Sequence, residues 1–560
     1  MENYEPAHHS KRLSLASHLQ ALANANVLFP AAIFLLVVIT FALGGQLRLW
    51  ILPTAALATV IALRALSVSW RYVGVAVALS ALVHVGAYAV ARVFFDSSWD
   101  GLAYHQEAVL RLAAGWNPIY ESLGAIGHEH QLWINHYPKA SWILGASTFL
   151  SCGQIEAGKL FNFTLIVAAG AQVASVLLRV TRLPVLIATA IAILIAFNPV
   201  SMTESTTFCV DGALASLLSI IVVGTTMYVI GPRWSDLGIV LLAVCLAINL
   251  KFTALVYVGA LMGFAVLITW RQRGLQVASK LAGAVGATTV VAVFLLGYSP
   301  YVTNWRDKGH MLYPVLGAPP ELLSTAGMRP TNLHNKDRFS RFLIANFSVS
   351  ESVGRPPKAT NLKFPFWIYP SERSAWLWSQ ALESGGFGPL YGALLLLAGA
   401  GAVALLRDPS ARPYGSIALA VAGVVGVSVF THAETWWARY VPQAWLLPMI
   451  IATACILSPR RSVKWVIGWA LIVFATLNVL FIAAFFTRHE WKYAQETRRS
   501  LREIPFGEPI QAHLGMFESL RERLRAGGAE VRLLKAPLIE QPGGTRHPIP
   551  SPGGTAFWSK

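Results

Sequence analysis

The chain has 560 residues, of which 55% are hydrophobic and 13% charged, with a formal net charge of +17 and a mean hydropathy of +0.54. Soluble domains carry about 25% charged residues, so this composition excludes an ordinary soluble fold and points to a polytopic membrane protein. A nucleic-acid role is not indicated by the positive charge, because the basic residues lie in short loops between apolar runs and not on one face of a polar domain.

In chain order, residues 1–26 are polar and read as a cytoplasmic tail; they are too long for a typical signal-peptide n-region, so the first apolar run reads as a retained anchor. Spans are expected near 27–43, 50–66 and 72–92, forming an N-terminal membrane block over 27–92. A second block, 157–298, holds runs near 157–178, 183–198, 209–230, 236–250, 252–270 and 280–298. A third, 389–486, holds runs near 389–406, 413–430, 441–457 and 464–486. Each run suits a hydrocarbon core of about 30 Å, and the fold class that follows is an all-α polytopic bundle of about 13 transmembrane helices. The shorter apolar piece 141–150 is expected at the interface or as a re-entrant segment. Two large loops, 93–156 and 299–388, separate the blocks, and a polar tail, 487–560, follows them. Its segment "FESLRERLRAGGAEVRLLK" reads either as a small packed appendage or as a membrane-surface helix, and the Pro/Gly-rich end as flexible.

The positive-inside rule orients the bundle. With the N-terminus inside, the cytoplasmic side receives Lys11, Arg12, Arg71, Arg179, Arg182, Arg233, Arg271, Arg273, Lys280, Arg407, Arg412, Arg460, Arg461 and Lys464, whereas the opposite short loops keep chiefly Arg48, Lys251 and Arg439. Both large loops then lie outside. So does the tail if the number of spans is odd; one span more or less moves it to the cytoplasm. Other polar residues gather on that same outer face: Asp96, Asp100, Tyr104, His105, Glu107, Asn117 and Pro118 in the first loop, Glu204 and Asp211 in the next, Lys251 at a span boundary, Asn304, His310 and Tyr313 after residue 298, and His432, Glu434, Arg439 and Tyr440 in the last. Ionisable groups near membrane depth are costly and mark function. Carboxylates, a few cations and many aromatics at an outer surface suit sugar transfer from a lipid-phosphate carrier: a carboxylate deprotonates the acceptor hydroxyl, cations neutralise the phosphate, and Trp and Tyr faces receive the sugar.

The stretch Asp100, Tyr104, His105, then Gly115, Asn117, Pro118 and Tyr120, resembles the first outer loop of the GT-C fold integral-membrane glycosyltransferases, in particular the bacterial dolichyl-phosphate-mannose/ArnT-like superfamily. Further likenesses are "YPKASW" at 137–142, Asp211, "KFT" at 251–253, "PYVTN" at 300–304, "GHMLYP" at 309–314, "GGFGPL" at 385–390 and "WWARYVP" at 436–442, covering roughly 72–457. The resemblance implies a GT-C-like bundle and an inverting hexosyl- or pentosyltransferase using a polyprenyl-phosphate sugar donor and a glycan, lipid or protein acceptor. It implies a bacterial inner-membrane enzyme with its site facing the periplasm or exterior. It makes Asp100 or Asp96 the catalytic base, Arg439 and Lys251 the phosphate ligands, and Tyr104, His105, Asn117, Asp211, Glu434, Asn304 and His310 substrate-binding residues. Two apparent extra spans before the first loop, and an Asp-x-x-x-Asp spacing where several members have adjacent acids, depart from the family pattern and leave the choice of Asp open. A lipid-linked glycan transporter or flippase and a pyrophosphate-donor glycan ligase are the alternatives.

Other signals are weaker. Asp is a favoured N-cap residue, so Asp96 and Asp100 also suit the start of the helix near Gly101. The His128, Glu129, His130 and His136 group lacks the HExxH register, so no metal or other cofactor is assigned, though some GT-C relatives use a divalent cation. "GQIEAGK" at 153–159 matches the P-loop glycines and lysine, but Leu160 stands where Ser or Thr holds Mg²⁺. The four cysteines, Cys152, Cys209, Cys245 and Cys455, show no CxxC spacing, which supports neither a disulfide framework nor a zinc site.

Overall fold

Backbone N–H and C=O groups in lipid must be satisfied within the segment, so the apolar runs form helices. The computed structural model describes residues 5–559 apart from 67, 125–129, 319–325, 379–381, 505–506, 508, 535–544 and 553–554. The N-terminal block is α1 (Glu5–Ala42), α2 (Ile51–Ala65) and α3 (Trp70–Val93). The first loop carries α4 (Gln106–Ala113), α5 (Gln131–His136) and α6 (Ala140–Cys152), and the middle block follows with α7 (Leu160–Val180), α8 (Val185–Ala196), α9 (Pro199–Glu204), α10 (Asp211–Ile230), α11 (Trp234–Leu250), α12 (Thr253–Arg273) and α13 (Leu275–Val290). The second loop holds α14 (Thr303–Lys308), α15 (Arg338–Asn346) and α16 (Pro370–Trp378), before α17 (Tyr391–Arg407), α18 (Arg412–Phe430), α19 (Leu446–Ile456) and α20 (Val463–Arg502).

Among the described residues, seven helical stretches are long and apolar enough to cross a membrane by length and composition, and seven shorter apolar helices accompany them. Each run expected as a span carries one of these helices, and the protein is a helical polytopic bundle. The core is made where α1 packs along α7, α7 along α10, and α17 and α19 against α20. Helix α20 has 40 residues, about 60 Å of helix, or twice the hydrocarbon thickness. Its apolar first half ends near Phe486, and its second half, "TRHEWKYAQETRRSLR", is rich in charge.

Residues 487–502, expected within the polar tail, continue α20, and two further segments differ from the sequence reading. Residues 10–26, expected as a separate polar tail, continue the same helix as the first apolar run. The cause is tertiary: Arg12 donates to the carbonyls of Leu178 (2.8 Å), Thr181 (2.7 Å) and Leu183 (2.5 Å). It thereby satisfies one orphan acceptor in the last turn of α7 and two carbonyls of the turn that leads to α8. The Pro/Gly-rich end, expected to be flexible, contains two strands. In the tail, β1 (Pro509–His513), β2 (Glu530–Leu533), β3 (Thr545–Pro548) and β4 (Ala556–Ser559) form a sheet in the order β2-β1-β4-β3, with β1 and β2 parallel and the other pairs antiparallel. Phe557 drives this closure: it is fully buried and stacks on His547 at 4.7 Å between ring centroids. The segment "FESLRERLRAGGAEVRLLK" is a packed appendage, with α21 (Arg521–Ala526) followed by β2.

Candidate active site

Four breaks between helices meet at one end of the bundle. After α3 the chain runs through Asp96–Asp100 into a single wide turn, Gly101–His105, in which the Gln106 amide donates back to the Gly101 carbonyl. Such i→i+5 turns recur at functional sites. The second break is the turn between α9 and α10; the third is Lys251, extended between α11 and α12; the fourth is the short turn Ala438–Tyr440 between α18 and α19.

These breaks bring together an ion-pair quartet. Arg439 Nη2 donates to Asp100 Oδ2 at 2.7 Å and Arg439 Nε donates to Asp211 Oδ2 at 2.8 Å. Lys251 Nζ donates to the other oxygen of Asp211 and lies 4.8 Å from the Tyr440 ring centroid. Asp211 is fully buried in the first turn of α10, where the helix N-terminus favours an acid. The side chains of Asp100, Lys251 and Arg439 keep 23%, 21% and 16% of their surface accessible. Burial opposes the Arg439 charge, but Asp211 and Asp100 together push its pKa well above the ordinary value.

Asp100 and Arg439 line a cavity of about 1200 Å³ with Glu204, Trp99, Trp437, Trp491 and Tyr493. Its outer wall is built from the charged half of α20 (Arg488, Lys492, Glu496), the second loop (Arg355, Glu383) and the tail (Ser551, Pro552). Glu204 accepts a hydrogen bond from the Gly212 amide at 2.7 Å. Burial, and then Asp211, push its pKa up to about 8, so the carboxyl is protonated near neutrality. The sequence places Glu204 among the outer-face acids, but nothing in its local motif marks it as part of a site.

The remaining sequence candidates lie off the cavity wall. Asp96 is fully buried and absent from the cavity wall. Its carboxylate accepts from the Ser98 amide (2.8 Å), the Ser98 hydroxyl (2.6 Å) and the Phe208 amide (2.9 Å), and burial raises its pKa. Of the two acids, Asp96 therefore braces the turn from which Asp100 projects. Tyr104 and His105 are buried behind that turn; the Trp142 indole donates to His105 Nδ1 at 2.7 Å, and burial lowers the imidazole pKa to about 4. Asn117 donates to the Phe41 and Gly45 carbonyls, both at 3.0 Å. Beside it Gly115 has φ +104°, and a Cβ there would meet the Gln46 amide at 2.9 Å. Asn304 donates to the carbonyls of His136 (3.0 Å) and Tyr313 (2.7 Å), and His310 Nδ1 accepts from the Leu312 amide at 3.1 Å. Glu434 pairs with Arg329, lies 4.0 Å from Arg341 and accepts from the Trp436 indole at 2.5 Å. None of these side chains lines the cavity; they hold the loops around it.

Of the His group, His128 and Glu129 lie outside the described residues. His130 packs on Trp99 and Tyr104, while the His136 ring is within 2.7 Å of Asn304 Oδ1. Lys159 of the P-loop-like stretch is buried against the Phe94 carbonyl (2.6 Å) and Glu156 (2.5 Å).

The tail grips the segment that bears Asp100. Arg523, 2% exposed, donates to Glu156 (2.7 Å) and to the Asp96 carbonyl (2.7 Å). Arg521 pairs with Glu107 at 2.6 Å, and the Ser519 hydroxyl donates to the Leu102 carbonyl at 2.8 Å. The tail and the quartet thus share one face of the bundle.

No family model and no curated protein matches the chain. Among solved structures it is similar to the crystal structure of ArnT from Cupriavidus metallidurans bound to undecaprenyl phosphate, at 12% identity and a TM-score of 0.45 over 82% of this chain and 86% of that chain. A likeness of that size carries no residue roles from one chain to the other.

Proposed function

We propose that the protein is a membrane glycosyltransferase that moves one sugar from a polyprenyl-phosphate carrier to an acceptor hydroxyl, with inversion at the anomeric carbon. The observation that carries this reading is the pairing of a carboxylate and a guanidinium, Asp100 and Arg439, on the wall of one large aromatic-lined cavity at the ends of membrane-sized helices. Asp100 is the base for the attacking hydroxyl. Arg439, with Lys251 behind it, meets the phosphate; a guanidinium forms two parallel bonds to such an oxyanion. Asp211 positions both cations, since one buried carboxylate accepts from each. Trp99 and Trp491, which are exposed on the cavity wall, offer ring surface suited to sugar C–H groups. The lysine and arginine bias of the opposite loops supports a site facing the periplasm or exterior of a bacterial inner membrane.

The test is to incubate the purified protein with a panel of polyprenyl-phosphate sugars and follow donor consumption. Turnover is expected with at least one donor, and Asp100→Asn is expected to lower it by about 10²- to 10⁴-fold with unchanged melting behaviour. Near-full activity in that variant refutes the base assignment. No turnover of any donor by folded protein counts against the enzymatic reading.

A further inference from the structure

We infer that Arg439 is a shared counter-ion that passes its charge from Asp100 to the departing phosphate during transfer. The inference rests on the proposed donor class and adds to it a coupling between the base and the leaving group. In the quartet, the two carboxylates Asp100 and Asp211 balance the two cations Arg439 and Lys251, so the paired groups carry no net charge. Glu204 adds none while protonated. Asp211 engages both cations and is fully buried, so it stays with them; Asp100 touches Arg439 through one oxygen only and remains partly open to the cavity. Arg439 has five N–H donors, and Asp211 and Asp100 occupy only the Nε–H and one Nη2–H. The others are available to a second anion without releasing Asp211.

The transfer step then conserves charge at the guanidinium. The acceptor O–H bond breaks and its proton passes to Asp100 Oδ, while the acceptor oxygen bonds to the anomeric carbon. The bond from that carbon to the phosphate oxygen breaks, and its electron pair stays on the phosphate. Asp100 loses one negative charge as the carrier changes from a monoanionic diester to a monoester, which carries roughly −1.5 to −2 near neutrality. Arg439 is relieved of one anion as the other deepens. Its stabilisation therefore grows along the reaction coordinate, which is what lowers a barrier.

Asp100 and the product phosphate must therefore compete. Binding of polyprenyl phosphate to the full-length protein in nanodiscs is the measurement, with the uncharged polyprenol and the methyl phosphodiester of polyprenol as comparison probes. Asp100→Asn is expected to bind polyprenyl phosphate about tenfold more tightly than the wild type, the methyl diester only about threefold more tightly, and polyprenol equally. Affinity for the monoester that is unchanged or weakened in a folded Asp100→Asn protein overturns the handover while leaving the donor class standing. If neither protein prefers the phosphate to polyprenol, the donor reading fails, and the handover with it.

Discussion

Replacing Arg523 by methionine removes the buried charged contact of the tail with the loop that carries Asp100, leaving Arg521–Glu107 and Ser519–Leu102 in place. The lost bonds are those to Glu156 at 2.7 Å, to the Asp96 carbonyl at 2.7 Å and to the Tyr493 hydroxyl at 3.4 Å. Breaking one partner out of a buried ion pair costs about 3–5 kcal/mol. Glu156 keeps Lys159 (2.5 Å) and the Asp96 amide (3.0 Å), which places the expected cost at the lower end, about 3 kcal/mol. That corresponds to a rise of about a hundredfold in local opening. Hydrogen exchange over residues 96–107 reads it directly, because the Gly101 and Leu102 amides bond only within the turn, to Ser98. Adding Glu156→Gln to Arg523→Met removes the stranded charge and should restore much of the protection. If exchange over 96–107 is unchanged in Arg523→Met while the tail sheet loosens, the loop is rigid without the tail and the clamp argument is wrong.

Further outcomes follow from the same geometry. Glu204 has a folded pKa of about 8 against an ordinary 4.5, so the stability it contributes is complete below pH 4.5 and is lost as pH rises through about 8. Glu204→Gln keeps a neutral group, and its melting temperature should fall less steeply than the wild type's between pH 5 and 8; parallel curves would contradict this. His105 has the opposite sign: lowered to about 4 from 6.5 by burial, it costs nothing above pH 6.5 and removes stability as pH falls towards 4, by roughly 3 kcal/mol in all. His105→Gln, which retains an acceptor for Trp142, should flatten the acid limb of stability, and an unaltered limb would count against the assignment. In Gly101→Ala the new Cβ would collide with the Asp96 carboxylate and the Ser98 hydroxyl. A loss of about 1–3 kcal/mol is expected, and wild-type melting would show that the turn yields without cost.

Much of the bundle is legible in the sequence because hydrocarbon thickness imposes a length on each run, and the residues at the ends of those runs point to one face. Asp100, Asp211, Lys251 and Arg439 are legible for the same reason: charges at the edge of lipid stand out against their neighbours. Their pairing is not, since 228 positions separate Asp211 from Arg439 and no local pattern encodes that contact. Asp96 and Asp100 look equivalent as acids before a helix, and it is the approach of Phe208 and Ser98 to the one and of Arg439 to the other that distinguishes them. Asn304, His310 and Glu434 carry the same polar signature as site residues but spend it on loop structure. The tail sheet escapes a compositional reading because glycine and proline dominate the segment, while a few residues such as Phe557 do the packing.

The clamp also imposes an order on assembly. Arg523 leaves the ribosome 367 residues after its partner Glu156, when the helices that frame the cavity have already been made. The loop bearing Asp100 therefore waits through most of translation for the residue that locks it. A polypeptide interrupted before Arg523 lacks the bonds to Glu156 and the Asp96 carbonyl, so the loop bearing Asp100 is fastened only after the helices around it exist.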